Sequence, residues 1–246
     1  MIMSVSHMID EDAKTKLWSI LLNANGYNVS AAAAEGIMQR MIQLGVRTDV
    51  VTWSTLMNAY AGGGNAAKCE ELMKTMQAPP HCIAPDVTTW NTLMNAYAQH
   101  NKIKRLKTSG DQCFAVFQRM SSARVVPTSV TLSTLFSSLI YGFGGSPKAG
   151  SLKVIELSKI WVNPRTLTHH VASSVLRALA EAGTASDVDS FWAFCSAHLG
   201  RTRQRWPGSS FSILNDLSQK FSGQGQWPRI AALLASSAAP QHPSRP

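Results

Sequence analysis

Charge is scarce in this chain. Its 246 residues include 23 Lys or Arg and 14 Asp or Glu, 15% in all, where about 25% is usual for soluble domains. The shortage falls harder on acid than on base, and the net charge is +9. Low charge beside 45% apolar residues excludes wholesale disorder, which needs the opposite balance. Cysteine is scarce too. Four of them cannot staple a chain this long, and positions 69, 82, 113 and 195 contain no Cys-x-x-Cys pair for zinc. Free thiols suit a reducing compartment. Long apolar runs are missing: the nearest, residues 230–235, falls far short of the roughly 20 residues that cross a bilayer. The sequence also lacks His-Glu-x-x-His, a P-loop, Gly-x-Ser-x-Gly, Gly-x-Gly-x-x-Gly and the His-x-Glu of zinc deaminases. Its acidic residues are scattered rather than gathered for a nuclease metal. No cofactor, metal, membrane span or catalytic residue is therefore expected, and the basic balance points towards nucleic acid or another anionic surface.

What the chain has in quantity is repetition. Residues 51–60 read Val-Thr-Trp-Ser-Thr-Leu-Met-Asn-Ala-Tyr, and residues 88–97 match them at eight of ten positions. Residues 16–25 and 130–139 are weaker copies in the same order. Each copy carries an apolar stripe at i, i+3, i+4, i+7, one face of a helix. Trp18, Leu21, Leu22 recurs as Trp53, Leu56, Met57, Tyr60, as Trp90, Leu93, Met94, Tyr97, and as Leu132, Leu135, Phe136, Leu139. A second stripe follows in each unit, such as Cys69, Leu72, Met73, Met76. In the first two units it begins 16 residues after the first stripe; in the third and fourth the interval grows, which reads as swollen turns over 101–110 and 141–148.

These intervals predict an all-α, right-handed solenoid of about six antiparallel helix-turn-helix units, because a single helix pair cannot bury its own stripes and stacked pairs can. The expected layout is an extension over 1–14, five units at 15–49, 50–86, 87–128, 129–168 and 169–208, a degenerate unit at 209–238 and a flexible tail at 239–246. The start at residue 169 competes with one at Thr166; it is preferred because the earlier register puts polar Ser173 in the stripe.

The Val-Thr-Trp-(Ser/Asn)-Thr-Leu-Met-Asn-Ala-Tyr helix, a Met closing the second helix, and the links Gly45-Val46-Arg47-Thr48-Asp49 and Ile83-Ala84-Pro85-Asp86 closely resemble the pentatricopeptide repeat. The resemblance is strongest over 15–140 and fades beyond residue 200. It implies a scaffold that binds single-stranded RNA, one base per unit, read by two or three side chains. By similarity the edge-reading residues are Ser19, Ser54, Asn91, Ser133, Ser173 and Asn215. Their closing partners, the last residues of the units, are Asp49, Asp86, Thr128, Thr168 and, loosely, Ser210. The base-sandwiching residues are Val51, Thr88 and Val130, with Lys16, His170 and Ser212 in the same slot; Lys16 and His170 depart from the usual aliphatic choice. The family's pairing rules then imply 5′-G-G-(C or U) for the first three units.

Lys102, Lys104, Arg105 and Lys107 in the third unit's turn, and Arg201, Arg203 and Arg205 after the fifth unit, are candidates to neutralise phosphates. Residues 1–9 contain no arginine and Asp10-Glu11-Asp12 is acidic, unlike a transit peptide; the resemblance nonetheless implies a chloroplast or mitochondrion, with RNA-processing proteins as further partners. Two other readings stay open: a groove that holds a peptide, and the RNA-binding part of a larger processing enzyme.

Overall fold

A computed structural model describes residues 11–28, 31–104 and 108–199. Among them are ten helices and no strand. They come in pairs: α1 (Glu11–Asn28) with α2 (Ala31–Gln43), α3 (Val50–Gly62) with α4 (Ala66–Gln77), α5 (Val87–Lys104) with α6 (Ser109–Ser122), α7 (Ser129–Gly142) with α8 (Pro147–Trp161), and α9 (His169–Ala182) with α10 (Ala185–Leu199). The sixth expected unit, the tail, and the positions Arg201, Arg203, Arg205, Ser210, Ser212 and Asn215 lie outside the described residues.

Local signals set where these helices start. Asp49 is extended (φ −124°) and its carboxylate accepts the Thr52 amide at 2.8 Å, while the Thr52 hydroxyl lies 3.5 Å from the Asp49 amide. That reciprocal arrangement is a capping box. Thr128 and Thr131 repeat it at α7, Asp86 accepts the Thr89 amide at α5, and Thr168 accepts the Val171 amide at α9. Such a cap contributes about 1 kcal/mol. The α3–α4 turn depends on Gly64, whose φ of +69° suits glycine and whose absent side chain would lie 2.7 Å from the His100 amide nitrogen. His100 in turn places Nδ1 2.9 Å from the Gly64 carbonyl.

The first helices form a continuous row, α1 on α3, α3 on α5, α5 on α7 and α7 on α9, and α2, α4, α6 and α8 each pack between the first helix of their own pair and that of the next. The core is correspondingly one long seam. Trp53, Leu56, Met57, Cys69, Met73 and Met76 are buried in the second pair, and Trp90, Leu93, Met94, Cys113, Phe117 and Met120 in the third. At about 1.5–3 kcal/mol per buried large apolar side chain, no single pair dominates stability. The chain is a solenoid of stacked helix pairs.

Two expectations are corrected. Leu21, placed in the first stripe, is 50% exposed, because among the described residues no unit precedes α1 to cover that face. The swollen turn of the third unit is largely helix, since α5 runs on to Lys104. Asn101, expected in a loop, is buried: its Nδ2 donates to the Tyr97 carbonyl and to Gln112 Oε1, both at 2.7 Å, and its Oδ1 accepts from Thr108 at 3.1 Å. These bonds seal the helix-to-helix crossing that a polar sequence had suggested was open.

Three of the four cysteines, Cys69, Cys113 and Cys195, are buried free thiols, and Cys82 is exposed. Burial pushes the three thiols up, to about 12, 11 and 12 respectively. The side chains behave as small apolar fillers.

Candidate nucleic-acid interface

In α3, α5, α7 and α9 the expected edge-reading residue stands five positions after the capping residue, and Ser54 and Asn91 come close to the caps of the next first helices. The fold thus brings together residues 30 to 37 positions apart, from Ser19 with Asp49 to Asn91 with Thr128. The second unit shows the arrangement most fully: Val51, Ser54, Thr55, Asn58, Asp86, Thr88 and Thr92 line one open groove of about 350 Å³. The reader and closing residue of that unit thus share a groove with the two residues expected to flank a base. Val51 is 56% exposed and Val130 58%, and Thr88 is also exposed, so all three side chains are open to solvent.

The edge-reading side chains do not hang in solvent. Ser54 is only 7% exposed, and its hydroxyl lies 2.7 Å from the Thr89 hydroxyl, which donates to Asp86 Oδ1 at 2.8 Å. At the preceding junction Ser19 lies 3.3 Å from Thr52, and Thr52 donates to Asp49 at 2.6 Å; Ser19 also donates to the Thr15 carbonyl at 2.9 Å. At the following junction Thr131 donates to Asn91 Oδ1 at 2.7 Å and lies 3.2 Å from the Thr128 hydroxyl. Reader and closing residue are linked through a threonine at all three. The fourth junction is different. Val171 stands where threonine would, and Ser133 donates instead to the Val130 carbonyl of its own helix at 3.0 Å. Thr168 caps α9 through the Val171 amide. Ser173 is half-buried.

Sequence reasoning passed over Thr52, Thr89 and Thr131. The signal was available: a threonine precedes the stripe residue in each of the three strongest copies, at the third position after the cap, where a capping box recruits a polar side chain.

Further along the first helices, a second open groove of about 490 Å³ is lined by Gln99, Lys102, Ser137, Tyr141 and neighbours. Lys102, picked from the sequence for phosphate, is exposed there. Arg177, not picked, lies 5.7 Å over the exposed Tyr141 ring and donates to its hydroxyl. Arg105 and Lys107, and the side chain of Lys104, lie outside the described residues. A third cavity of about 230 Å³ between α8, α9 and α10 is lined mainly by apolar side chains such as Ile155, Val175 and Phe191 and touches none of the readers. Among the described residues no group of three or more His, Cys, Asp or Glu could hold a metal ion, and no helix is long and apolar enough to cross a membrane.

A second set of polar links ties the units together. Tyr60, at the end of the α3 stripe, donates to Glu35 of α2, which Lys68 of α4 meets at 3.0 Å. Tyr97 likewise donates to Glu70 of α4 at 3.1 Å, and Arg119 of α6 grips Glu70 with two nitrogens at 2.6 and 3.1 Å while lying 5.5 Å over Trp90. The Tyr60 hydrogen bond, then Lys68, hold the Glu35 carboxyl below its usual range. Burial first, and then the neighbouring carboxylate, push both phenols up to about 12. A group whose folded value is raised adds stability while protonated, below its ordinary value of about 10, and that contribution is lost as pH rises through the folded value. Absorbance at 295 nm should accordingly show two of the four tyrosines ionising well above the ordinary range, and urea midpoints should fall from about pH 10 upward. Ordinary titration of all four phenols would contradict these links.

Helix pairs stacked in one row form a helical-repeat scaffold. Residues 36–100 match the pentatricopeptide repeat domain and residues 85–140 the PPR repeat family. Together the two matches cover residues 36–140, and the family they describe generally binds RNA. The fold is similar to the crystal structure of the pentatricopeptide repeat protein PPR10 from maize, with 18% identity and a TM-score of 0.42, covering 96% of this chain and 36% of that one. The chain thus spans about a third of that protein's length. No curated protein matches.

Proposed function

We propose that the chain binds single-stranded RNA along its row of first helices, without catalysis of its own, and acts by covering a segment of transcript or guiding another RNA-processing protein to it. The observation that carries this reading is the shared groove of Ser54, Asp86, Val51 and Thr88: two polar groups for a base edge, and two flanking side chains for its faces. Ser19 with Asp49 and Ser54 with Asp86 would take guanine, and Asn91 with Thr128 a pyrimidine; by the family's habit the setting is a chloroplast or mitochondrion. Lys102 and Arg177 supply positive charge beside the second groove, where phosphates can pass.

The test is gel retardation with single-stranded RNAs carrying a GGC or a UUC core. The GGC core should bind about tenfold tighter, affinity should fall as salt rises, and Ser54→Asn should move the second base's preference from G towards U. Equal binding of the two cores, or no retardation at low salt, overturns the reading and leaves a peptide-binding groove as the next to examine.

A further inference from the structure

The threonine at each junction has one proton, and where it goes decides what the edge-reading residue can do. At the second unit the Thr89 hydroxyl donates to Asp86 Oδ1, because a carboxylate can only accept. The 2.7 Å contact between Ser54 and Thr89 must then be a bond donated by Ser54. With its proton committed, Ser54 shows the groove lone pairs alone. Asp86 spends Oδ1 on the cap, which leaves Oδ2 as a second acceptor in the same groove. Guanine is the base whose Watson–Crick edge carries two adjacent donors, N1–H and N2–H. The first junction has the same polarity: Thr52 donates to Asp49, and the Ser19 proton goes to Thr15 or Thr52, so Ser19 again only accepts.

The third junction reverses the direction. Its closing residue is Thr128, whose amide donates to Thr131 Oγ1 at 3.0 Å and whose hydroxyl can do the same at 3.2 Å. The Thr131 proton is then directed the other way, onto Asn91 Oδ1 at 2.7 Å. That occupies the amide oxygen of Asn91 and leaves its Nδ2 to donate. A donor suits a base with an acceptor at the centre of its edge, N1 of adenine or N3 of cytosine, and not uracil, which has N3–H there; of the two pyrimidines expected at this unit, that leaves cytosine. At the fourth junction Val171 has no proton to direct and the side chain of Ser133 turns back on its own helix.

We propose that Thr52, Thr89 and Thr131 are positioning residues that set the hydrogen-bond polarity of the edge-reading side chains, so that the closing residue acts on the base partly through the threonine's single proton. This rests on the RNA-binding reading above. It narrows the third base to cytosine and makes the fourth unit indifferent, although Ser133 and Thr168 are both present.

The experiment measures binding of RNAs varied at one position to the full chain. Wild type should favour guanine at the second base by about tenfold. Thr89→Val keeps shape and the Asp86 cap on the backbone but removes the proton, and should leave all four bases within about twofold; Thr89→Ser, which restores a hydroxyl, should recover the preference. Val171→Thr should create discrimination at the fourth base, favouring adenine or cytosine over guanine and uracil, since Thr168 can pass its proton on to Ser133. An unchanged guanine preference in Thr89→Val overturns the relay while leaving RNA binding intact. Wild type that binds none of the RNAs overturns the RNA reading itself. Circular dichroism checks folding, and if Thr89→Val unfolds, the Val171→Thr arm decides: continued indifference at the fourth base overturns the proposal.

Discussion

Alanine at Gly150 should destabilise the chain by about 3 kcal/mol, the upper end of overpacking effects, and lower its melting temperature by roughly 10 °C. A Cβ built at Gly150 falls 2.0 Å from the Leu139 carbonyl oxygen and 2.8 Å from its carbon. Both are backbone atoms of α7, so no side-chain rotation relieves the clash, and α8 must move off α7. The neighbouring crossing is also close, since a Cβ at Gly110 would meet the Gly142 carbonyl at 2.7 Å. Because α8 packs between α7 and α9 and units are held by their neighbours, the damage should centre on the fourth and fifth pairs. Urea denaturation followed by circular dichroism checks it; a variant within about 0.5 kcal/mol of wild type would mean that the backbones are not in contact there.

Asp86→Ala should weaken binding of a GGC-containing RNA by about tenfold or more while costing only about 1 kcal/mol of stability. Two roles are lost together: the cap on Thr89 of α5 and an acceptor in the groove. Asp86→Asn separates them. Asparagine caps as well as aspartate, so stability should hold, but the amide brings a donor into a site that offers only acceptors, and guanine preference should fall. If Asp86→Asn binds guanine as tightly as wild type, Asp86 acts only as a helix cap and the groove's acceptors lie elsewhere.

The helix pairs were legible because their stripes are chemically redundant. Trp53, Leu56 and Met57 recur as Trp90, Leu93 and Met94, and all six are buried. Periodicity of that kind reports burial directly. It failed at Leu21, which has the right spacing but no preceding unit among the described residues, and at Asn101, whose polarity suggested a loop although its amide is spent on a helix crossing. At the candidate site, Ser54 and Asp86 could be singled out by position within the repeat, and the fold places both in one groove. What spacing could not reveal is the direction of a hydrogen bond. Thr89 and Thr131 occupy equivalent slots, yet one gives its proton to the closing residue and the other to the edge-reading residue. That depends on whether the cap is a carboxylate or a hydroxyl. Arg177 escaped notice for a simpler reason: it is a lone cation on a helix, and only packing brings it to Tyr141.

On the proposed reading, hydroxyls at three of the described junctions and a methyl at the fourth also limit how long an address these units can spell. Three specified bases recur about once in every 64 nucleotides of random RNA, so ordinary transcripts would carry many equivalent sites. Occupancy would then follow transcript abundance and the hold exerted by neighbouring contacts or partners, more than the sequence of any one site. Val171→Thr, by sorting the fourth base into two classes, would stretch that interval to about 128 nucleotides. On that reading, one buried methyl group halves the selectivity of the four described junctions.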